Sequence, residues 1–488
     1  FETIKCIVFI TESTVGLPIY KRKQQQEIYN DISNWISKNK ENGKTSILIT
    51  YSLGKTQRVL QAIKETTQTI FAHGAIYNMQ QDLIDAGFDL KPVVRITPET
   101  PKELLKESVV IAPPGAEGTS WMKKFHPYSI GVCSGWMQVR GNVRRRNVDA
   151  GFALSDHADW NSLLQTVKET GAEKVFVTHG FQSAFSRYLN EENIAEAAEV
   201  KTQFGDEDEE TDSPLEIKPE EKRKRMNKEK TNIMETVPSP SLLGKDGMGS
   251  SGLELFANLV SELSASIKTN EKIQSLVDYF AIAPDADKVW VIAIFSGRRP
   301  RRAVNSRLMR EWATEIVHIP EWLFNECYHT VGDLSETLAL LLPDVKSENQ
   351  KTESLSYYLE KFIAIEKEDE SIKKTFIVDS WQQMNKNERF VFNKFITGSF
   401  RIGVSQKTIV NALAKVVELS PSVIAHRISG NWDPVATSFK ELLSETVSLS
   451  DFSKPYPFYL AYAIDDEVED LGYINEWQAE WKWDGIRG

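Results

Sequence analysis

The run Ser46-Ile-Leu-Ile-Thr-Tyr51 decides the fold class of the first part of the chain. Its consecutive apolar residues predict a short buried strand. Gly54 then predicts a turn, and the spacing of Val59 and Leu60 predicts a helix packed on that strand. A buried strand followed at once by a helix is typical of α/β folds, so we predict an α/β domain over residues 1–203.

The same alternation continues along the chain. Ser108-Val-Val-Ile-Ala112 and Ala150-Gly-Phe-Ala-Leu154 predict two further strands. Asp159 is a suitable N-cap for the next helix and Gly171 a suitable end. Lys174-Val-Phe-Val-Thr178 then predicts a strand that closes a strand–helix–strand unit with the one at 150–154.

The composition changes abruptly after residue 203. Residues 206–212 are almost wholly acidic, residues 222–230 are mostly basic, and residues 247–252 are rich in glycine and serine. Such a segment buries too little apolar surface to offset the entropy of ordering it. We therefore predict a flexible charged linker over 204–250.

Beyond residue 251 the apolar residues follow helical spacing. Ile273, Leu276, Val277 and Phe280 stand at i, i+3, i+4 and i+7. The pattern recurs in three further segments: Leu334–Leu342, Trp381–Ile396 and Thr408–Val417. Val289–Phe295 fits either a strand or a buried helix. We predict an all-α domain over 251–446.

The composition narrows the class of protein. The net charge of −11 excludes a chain coated in nucleic acid but leaves room for local basic patches. Cys6, Cys133 and Cys327 form no CxxC pair, which favours reduced cysteines in a cytoplasmic protein. The sequence has no run of the ~20 apolar residues that a membrane-spanning helix needs, so we expect no membrane partner. We also expect a monomer.

The last residues carry a chemical motif, Lys482-Trp-Asp-Gly-Ile-Arg487. It matches Lys-x-Asp-Gly-x-Arg, in which a lysine attacks the α-phosphate of a nucleotide and becomes a phosphoramidate. A lysine with a pKa of about 10.4 is almost fully protonated at neutral pH, so burial or a nearby cation must lower that pKa. By itself the motif also fits a surface turn.

The second half resembles the DNA-binding domain of bacterial ATP-dependent DNA ligases over about 251–446. The resemblance rests on Ser296–Arg302, Glu326–Asp333 and Ile396–Val404, and Tyr456–Ala461 is similar to the start of the nucleotidyltransferase domain. It implies that 447–488 contributes the first strand of that domain, with ATP and Mg²⁺ as cofactors. Lys482 would then carry AMP, Glu480 would contact adenine and Arg487 would lie near the ribose.

Arginines concentrate in this half of an otherwise acidic chain. Arg298, Arg299, Arg301 and Arg302 lie within five residues, and Arg401 stands among small residues that let backbone approach a phosphate. We predict that these five arginines contact the backbone of nicked duplex DNA. The alternative is a solvated helix face.

The first half resembles the ligase-associated exonucleases of the metallo-β-lactamase fold with a β-CASP insert. The resemblance rests on Ile10–Gly16, Tyr51–Gln57, Ser134–Gly141, Leu154–Trp160 and Thr178–Gly180. It implies an enzyme that processes DNA ends with Zn²⁺. The family's His-x-His-x-Asp-His cluster is absent from the sequence, and we expect it to precede Phe1.

The resemblance also implies roles for three residues. His179 would be a zinc ligand, and His157, supported by Glu12, would hold the phosphate or protonate the leaving oxygen. For the whole chain we expect a fragment of a repair protein that joins an exonuclease to a ligase. Two alternatives stay open: a catalytically incomplete protein that only binds duplex DNA, and an artefactual fusion of two neighbouring genes.

Overall fold

The structure is a computed structural model. It describes residues 2–200 except 22 and 68, and residues 252–443 except 267, 346–349, 399, 401, 402 and 431. The predicted linker at 204–250 and the predicted start of a nucleotidyltransferase domain at 447–488 lie outside the described residues. Both remain predictions.

The first half alternates strands and helices, which confirms the predicted α/β class. Its strands are β1 (Val8–Ser13), β2 (Thr45–Ile49), β3 (Ile70–Ala72), β4 (Val94–Arg95), β5 (Val109–Ala112), β6 (Tyr128–Cys133), β7 (Ala150–Phe152), β8 (Lys174–Gly180) and β9 (Glu196–Glu199). Its helices are α1 (Gln25–Glu41), α2 (Lys55–Ala62), α3 (Gly74–Asp85), α4 (Lys102–Leu105), α5 (Arg140–Arg146), α6 (Trp160–Thr170) and α7 (Gln182–Glu191).

The strands form two parallel sheets. One has the order β1-β8-β9, and the other has the order β4-β3-β5-β2-β6-β7. Strand β2, the predicted start of the fold, lies between β5 and β6, and all five of its residues are buried. Gly54 has φ +77° immediately before α2, a backbone conformation that glycine adopts at little cost.

One predicted unit is wrong. Strands β7 and β8 flank helix α6 as expected, but they lie in different sheets: β7 pairs with β6, and β8 pairs with β1 and β9. The local pattern specifies strand, helix and strand, whereas the pairing partner is chosen by long-range contacts. The helix between them begins and ends as predicted, since Asp159 accepts a hydrogen bond from Ser162 N at 2.9 Å and Gly171 is left-handed.

Every element described between residues 252 and 443 is a helix, as predicted. These helices are α8 (Gly252–Ala265), α9 (Thr269–Ile282), α10 (Asp285–Phe295), α11 (Ser306–Val317), α12 (Glu321–Val331), α13 (Leu334–Leu341), α14 (Leu355–Ala364), α15 (Glu370–Gln383), α16 (Lys386–Thr397), α17 (Gln406–Val417), α18 (Pro421–Ser429) and α19 (Phe439–Leu443). No single helix among the described residues is long and apolar enough to span a membrane, although α17 and α18, bent by 116°, pass that test as a pair.

In the helical half the structure resolves one ambiguous prediction and corrects another. The ambiguous run 289–295 is a helix. Every residue from Val289 to Ile294 is buried, which explains why the sequence of this helix is apolar on all sides. The single helical pattern predicted over 381–396 is two helices. Asn385 and Glu388 form a capping box that starts α16, and this local cap breaks the apolar periodicity.

The two halves pack against each other. One continuous cluster of buried apolar side chains contains Leu17, Ile19 and Val139 from the first half together with Phe324 and Cys327 from the second. The charge pattern of 204–250 predicts a tether between separate domains, whereas no pattern in the sequence indicates this shared core.

Candidate functional site

The candidate site of the first half is built around two acid–base side chains. Glu12 lies near the end of β1, and His157 lies in the loop between β7 and α6. Nδ1 of His157 is 3.5 Å from Oε1 of Glu12. The other carboxylate oxygen of Glu12 accepts the backbone N–H of Thr14 at 2.6 Å, which fixes the orientation of the carboxylate.

The pKa values of this pair move in opposite directions. Burial alone would raise the pKa of Glu12, but hydrogen bonds from His157 and Thr14 lower it below its ordinary value. The hydrogen bond to Glu12 raises the pKa of His157, and burial opposes that change only in part. Both shifts favour the charged pair, a carboxylate beside an imidazolium, and an imidazolium can donate a proton or bind a phosphate oxygen.

His179 lies next to this pair on β8. Strands β1 and β8 are parallel, with Glu12 opposite Thr178 and a register shift immediately after Glu12. The Ser13 hydroxyl donates to the His179 carbonyl at 2.6 Å, and His179 Nδ1 lies 2.8 Å from the Thr178 hydroxyl. Side-chain hydrogen bonds therefore connect the ends of β1 and β8, in addition to the backbone pairing of the two strands.

The β1–β8 junction has no spare space. Gly180 has φ +71°, and a Cβ at this position would lie 2.4 Å from the Cα of Thr14. Glycine is required here both by the backbone conformation and by the close approach of the neighbouring strand. This close contact places the backbone of His179 against the segment that holds Glu12.

The remaining loops of the first half converge on the same place. Lys55 and Arg58, at the start of α2, both pair with Asp156, and the Lys55–Asp156 distance is 3.8 Å. A Cβ on Gly135 would lie 2.9 Å from Cβ of Ser155, so the Gly135 loop presses against the His157 loop. The five stretches singled out in the sequence of this half are therefore neighbours in space. A cavity of about 20 Å³ beside His157 is lined by residues of three of these stretches together with Tyr20 and Lys21.

Several of these partners were missed in the sequence. Lys55, Arg58 and Asp156 lie inside or beside the stretches that were singled out, but the sequence carried no sign that they would pair across more than 90 residues. The structure gives the reason for the pairing, since Lys55 is only 3% exposed and a carboxylate partner offsets the cost of burying its charge.

The residues present do not fit a zinc ion by themselves. Over the described ranges, 2–200 and 252–443 with their gaps, no group of three or more His, Cys, Asp or Glu residues could hold a metal. His179 offers one imidazole, whereas a zinc site takes three or four ligands. The predicted role of His179 as a zinc ligand therefore stays a prediction, and no step is derived through zinc.

The arginine group of the helical half forms the second candidate surface. Arg299 donates to the Gly398 carbonyl at 2.7 Å, and Arg302 donates to the Thr397 carbonyl at 2.7 Å. Both therefore bind the carboxyl end of α16, where a cation also meets the negative end of the helix dipole. Arg301 is 87% exposed and lies 3.8 Å from Glu366.

Arg298 is engaged differently from its neighbours. Its guanidinium lies 4.6 Å from the ring centroid of Trp432 and donates to the Trp432 carbonyl at 2.9 Å. It also donates to the Gly430 carbonyl. This side chain fastens the segment after α18, so it is less available to a phosphate than the exposed Arg299, Arg301 and Arg302.

Four predicted site residues lie outside the described part of the chain. They are the DNA contact Arg401 and the three nucleotide-site residues Glu480, Lys482 and Arg487. Their assignments remain predictions.

Comparison with known proteins bears on the helical half. Residues 253–414 match the family model described as DNA ligase N terminus. A curated relative, a probable DNA ligase from Opitutus terrae, is 24% identical over 349 residues, which cover 68% of this chain and 32% of that protein. The chain thus spans about a third of the relative's length. These likenesses support a DNA ligase region in the chain.

The aligned part of the relative reaches beyond the helical half. Residues 251–488 make up less than half of the 488 residues, so an alignment over 68% of the chain includes residues before 251. Some of the sequence before residue 251 is therefore aligned with the probable ligase as well.

Proposed function

We propose that this chain is part of a DNA-repair protein that processes DNA ends with its first half and seals nicks in duplex DNA with its second half. The observation that carries the sealing function is the match of residues 253–414 to the DNA ligase N terminus. That match coincides with the helical half and with the arginine surface on it.

The charge and exposure of that surface support a role in holding DNA. Arg299, Arg301 and Arg302 are exposed in a chain whose net charge is −11, and two of them, Arg299 and Arg302, bind the carboxyl end of α16. Contacts of arginine with phosphates give affinity without reading bases, and an enzyme that seals nicks at any sequence needs no base readout.

In the proposed reaction Lys482 is the nucleophile. Its amine attacks the α-phosphate of ATP and releases pyrophosphate, and the AMP then passes to a 5′-phosphate at the nick. Attack by the 3′-hydroxyl on that activated phosphate closes the strand and releases AMP. Mg²⁺ would neutralise phosphate charge during these steps. Glu480 and Arg487 would hold the adenine and the ribose.

For the first half we propose end processing, with His157 as the group that binds a phosphate oxygen or protonates the leaving oxygen. The support is the paired Glu12 carboxylate and the convergence of the five sequence stretches at one edge. The reach of the relative's alignment before residue 251 favours a natural fusion over an artefactual one.

DNA binding is tested by its salt dependence. Replacing Arg299, Arg301 and Arg302 by glutamine should lower the slope of log K against log salt for nicked duplex DNA by about two to three units, since each phosphate contact contributes about 0.9. The matched control replaces the exposed Lys40, Lys102 and Lys123 of the first half. An unchanged slope in the arginine variant would mean that the DNA binds to another part of the protein.

The second candidate function is binding of duplex DNA without catalysis, which the exposed Arg299, Arg301 and Arg302 could supply by themselves. Intact mass spectrometry after incubation with ATP and Mg²⁺ separates the two. An AMP adduct that Lys482→Arg abolishes identifies the joining enzyme. DNA binding without an adduct identifies the binding protein.

A further inference from the structure

The segment Val15–Lys21, which we call the strap, runs from the candidate site to the helical half. It begins three residues after Glu12, and four of its apolar side chains are at most 4% exposed: Val15, Leu17, Ile19 and Tyr20. Thr14, the residue immediately before the strap, donates its backbone N–H to the Glu12 carboxylate, so the strap continues directly from the segment that holds this carboxylate.

The helical half contacts the strap directly. The ammonium of Lys21 donates to the Leu341 carbonyl at the end of α13, at 2.5 Å. Cys327 on α12 lies against the backbone of Ile19 and is fully buried. These contacts come from two helices of the second half, and they meet the strap at its carboxyl end.

A second contact is polar and buried. The Arg140 backbone N–H donates at 2.6 Å to the carboxylate of Glu336, a residue that is only 3% exposed. The Arg140 guanidinium donates to Asn387 Oδ1 at 2.8 Å and lies 4.2 Å from the centroid of the Phe390 ring. Three helical-half residues therefore surround one arginine of the first half.

A third contact joins α7 to α12. The Arg187 guanidinium lies 4.1 Å from the centroid of the Trp322 ring, and the Trp322 indole N–H donates at 2.6 Å to Glu191. Arg187 and Glu191 also form an ion pair with each other at 2.7 Å, so Trp322 contacts both members of this ion pair. Aromatic and arginine side chains in such an arrangement are typical of energetically important interface positions.

We propose that the strap, Arg140 and the Arg187–Glu191 pair form a docking surface for the helical half of this same chain, and that docking holds the strap in place behind Glu12. The occupant follows from complementarity, because the buried Glu336 carboxylate accepts the Arg140 backbone N–H across this surface and the Lys21 ammonium donates across it to the Leu341 carbonyl. Leaving such a group buried without its partner is costly, so the surface specifies one partner and one orientation. The two halves then act as one body and not as tethered domains.

The test is to cut the chain between the halves. A site for a specific protease is placed within residues 206–245 of the full 488-residue chain, which is purified and then cleaved. We expect the two pieces to remain together in size-exclusion chromatography and in sedimentation velocity at micromolar concentration. Separation of the pieces after cleavage would overturn the proposal.

A charge reversal tests the assigned residues. Arg140→Glu removes the guanidinium that binds Asn387 and Phe390 and brings a second carboxylate near the buried Glu336. This change should weaken the association of the cleaved pieces on the order of 30-fold or more. The matched control is Lys123→Glu, an exposed lysine of the first half outside the interface. Circular dichroism checks that both variants are folded, and equal association of the two variants would also overturn the proposal. None of these measurements uses DNA, so they do not depend on the proposed function.

Discussion

The imidazole of His157 lies 3.5 Å from the carboxylate of Glu12, although Glu12 lies on a strand of one sheet and His157 follows a strand of the other. Glu12 belongs to β1 in the three-stranded sheet, and His157 follows β7 at the edge of the six-stranded sheet. The pair therefore bridges the two sheets of the first half. Its geometry depends on how the sheets are placed relative to each other.

The Glu12–His157 pair should stabilise the fold within a defined pH window. The folded-state pKa of His157 is raised, so its contribution is fully present below the ordinary value of 6.5 and is lost as the pH rises through the folded-state pKa. The pKa of Glu12 is lowered, so its contribution is present above 4.5 and is lost as the pH falls through the folded-state pKa. Glu12→Gln should therefore lower Tm most between these two values.

Thermal unfolding from about pH 4 to pH 9 checks this window. The difference in Tm between the wild-type chain and Glu12→Gln should peak near the middle of the window and shrink at alkaline pH. A difference that is the same at every pH would mean that the pair contributes no linked protonation.

Gly180 should be intolerant of a side chain for reasons of space. Gly180→Ala introduces a Cβ 2.4 Å from Thr14 Cα, in addition to the strain of a left-handed residue at φ +71°. Gly118 has φ +72° but no atom within 4 Å of an added Cβ, so Gly118→Ala measures the strain alone. We expect the control to lose about 1–2 kcal/mol and Gly180→Ala about 1–3 kcal/mol more, measured by urea unfolding. Equal losses would show that the β1–β8 junction relaxes.

Asp287 should be important for the stability of the helical half. Its carboxylate is fully buried and accepts the backbone N–H groups of Leu355 at 3.2 Å and Ser356 at 2.8 Å, at the start of α14. Asp287→Ala leaves both donors buried without this acceptor and should cost about 1–3 kcal/mol.

The control for this change is Asp285→Ala. Asp285 is on the same helix with a side chain that is 67% exposed, and it pairs only with Lys288 at 3.2 Å. Its removal should change the free energy of unfolding by less than about 1 kcal/mol. Chemical denaturation compares the two variants, and similar losses would contradict the capping role of Asp287.

Thiol labelling should distinguish the cysteines. Burial raises the pKa of Cys133 to about 12 and that of Cys327 to about 12, whereas Cys6 is only partly buried. In the native protein we expect an alkylating reagent to modify Cys6 alone within minutes, with all three modified in denaturant. Mass spectrometry of the labelled peptides gives the result.

The labelling rate of Cys327 also measures whether the two halves are docked. Because it lies against the strap, its labelling in the cleaved protein should accelerate in Arg140→Glu and stay slow in Lys123→Glu. Fast labelling of Cys327 in the uncut wild-type chain would contradict the packing of the two halves.

Short-range features were determined by the sequence alone. The buried run at 46–51, the Asp159 cap and the Gly171 end all lie where the sequence placed them, because a strand, a turn or a cap depends on residues a few positions apart. The helical class of 252–443 followed from the same kind of local spacing. The assignment of Lys482 as the AMP-bearing residue stays a prediction from the sequence, since Lys482 lies outside the described residues.

Tertiary structure decided what depends on distant partners. It placed β8 beside β1 and not beside β7, paired Lys55 and Arg58 with Asp156, and turned Arg298 towards Trp432. It also joined the two halves through Arg140 and the strap. No local pattern specifies such contacts, because the free energy that selects a partner comes from burying surfaces and charges that are far apart along the chain.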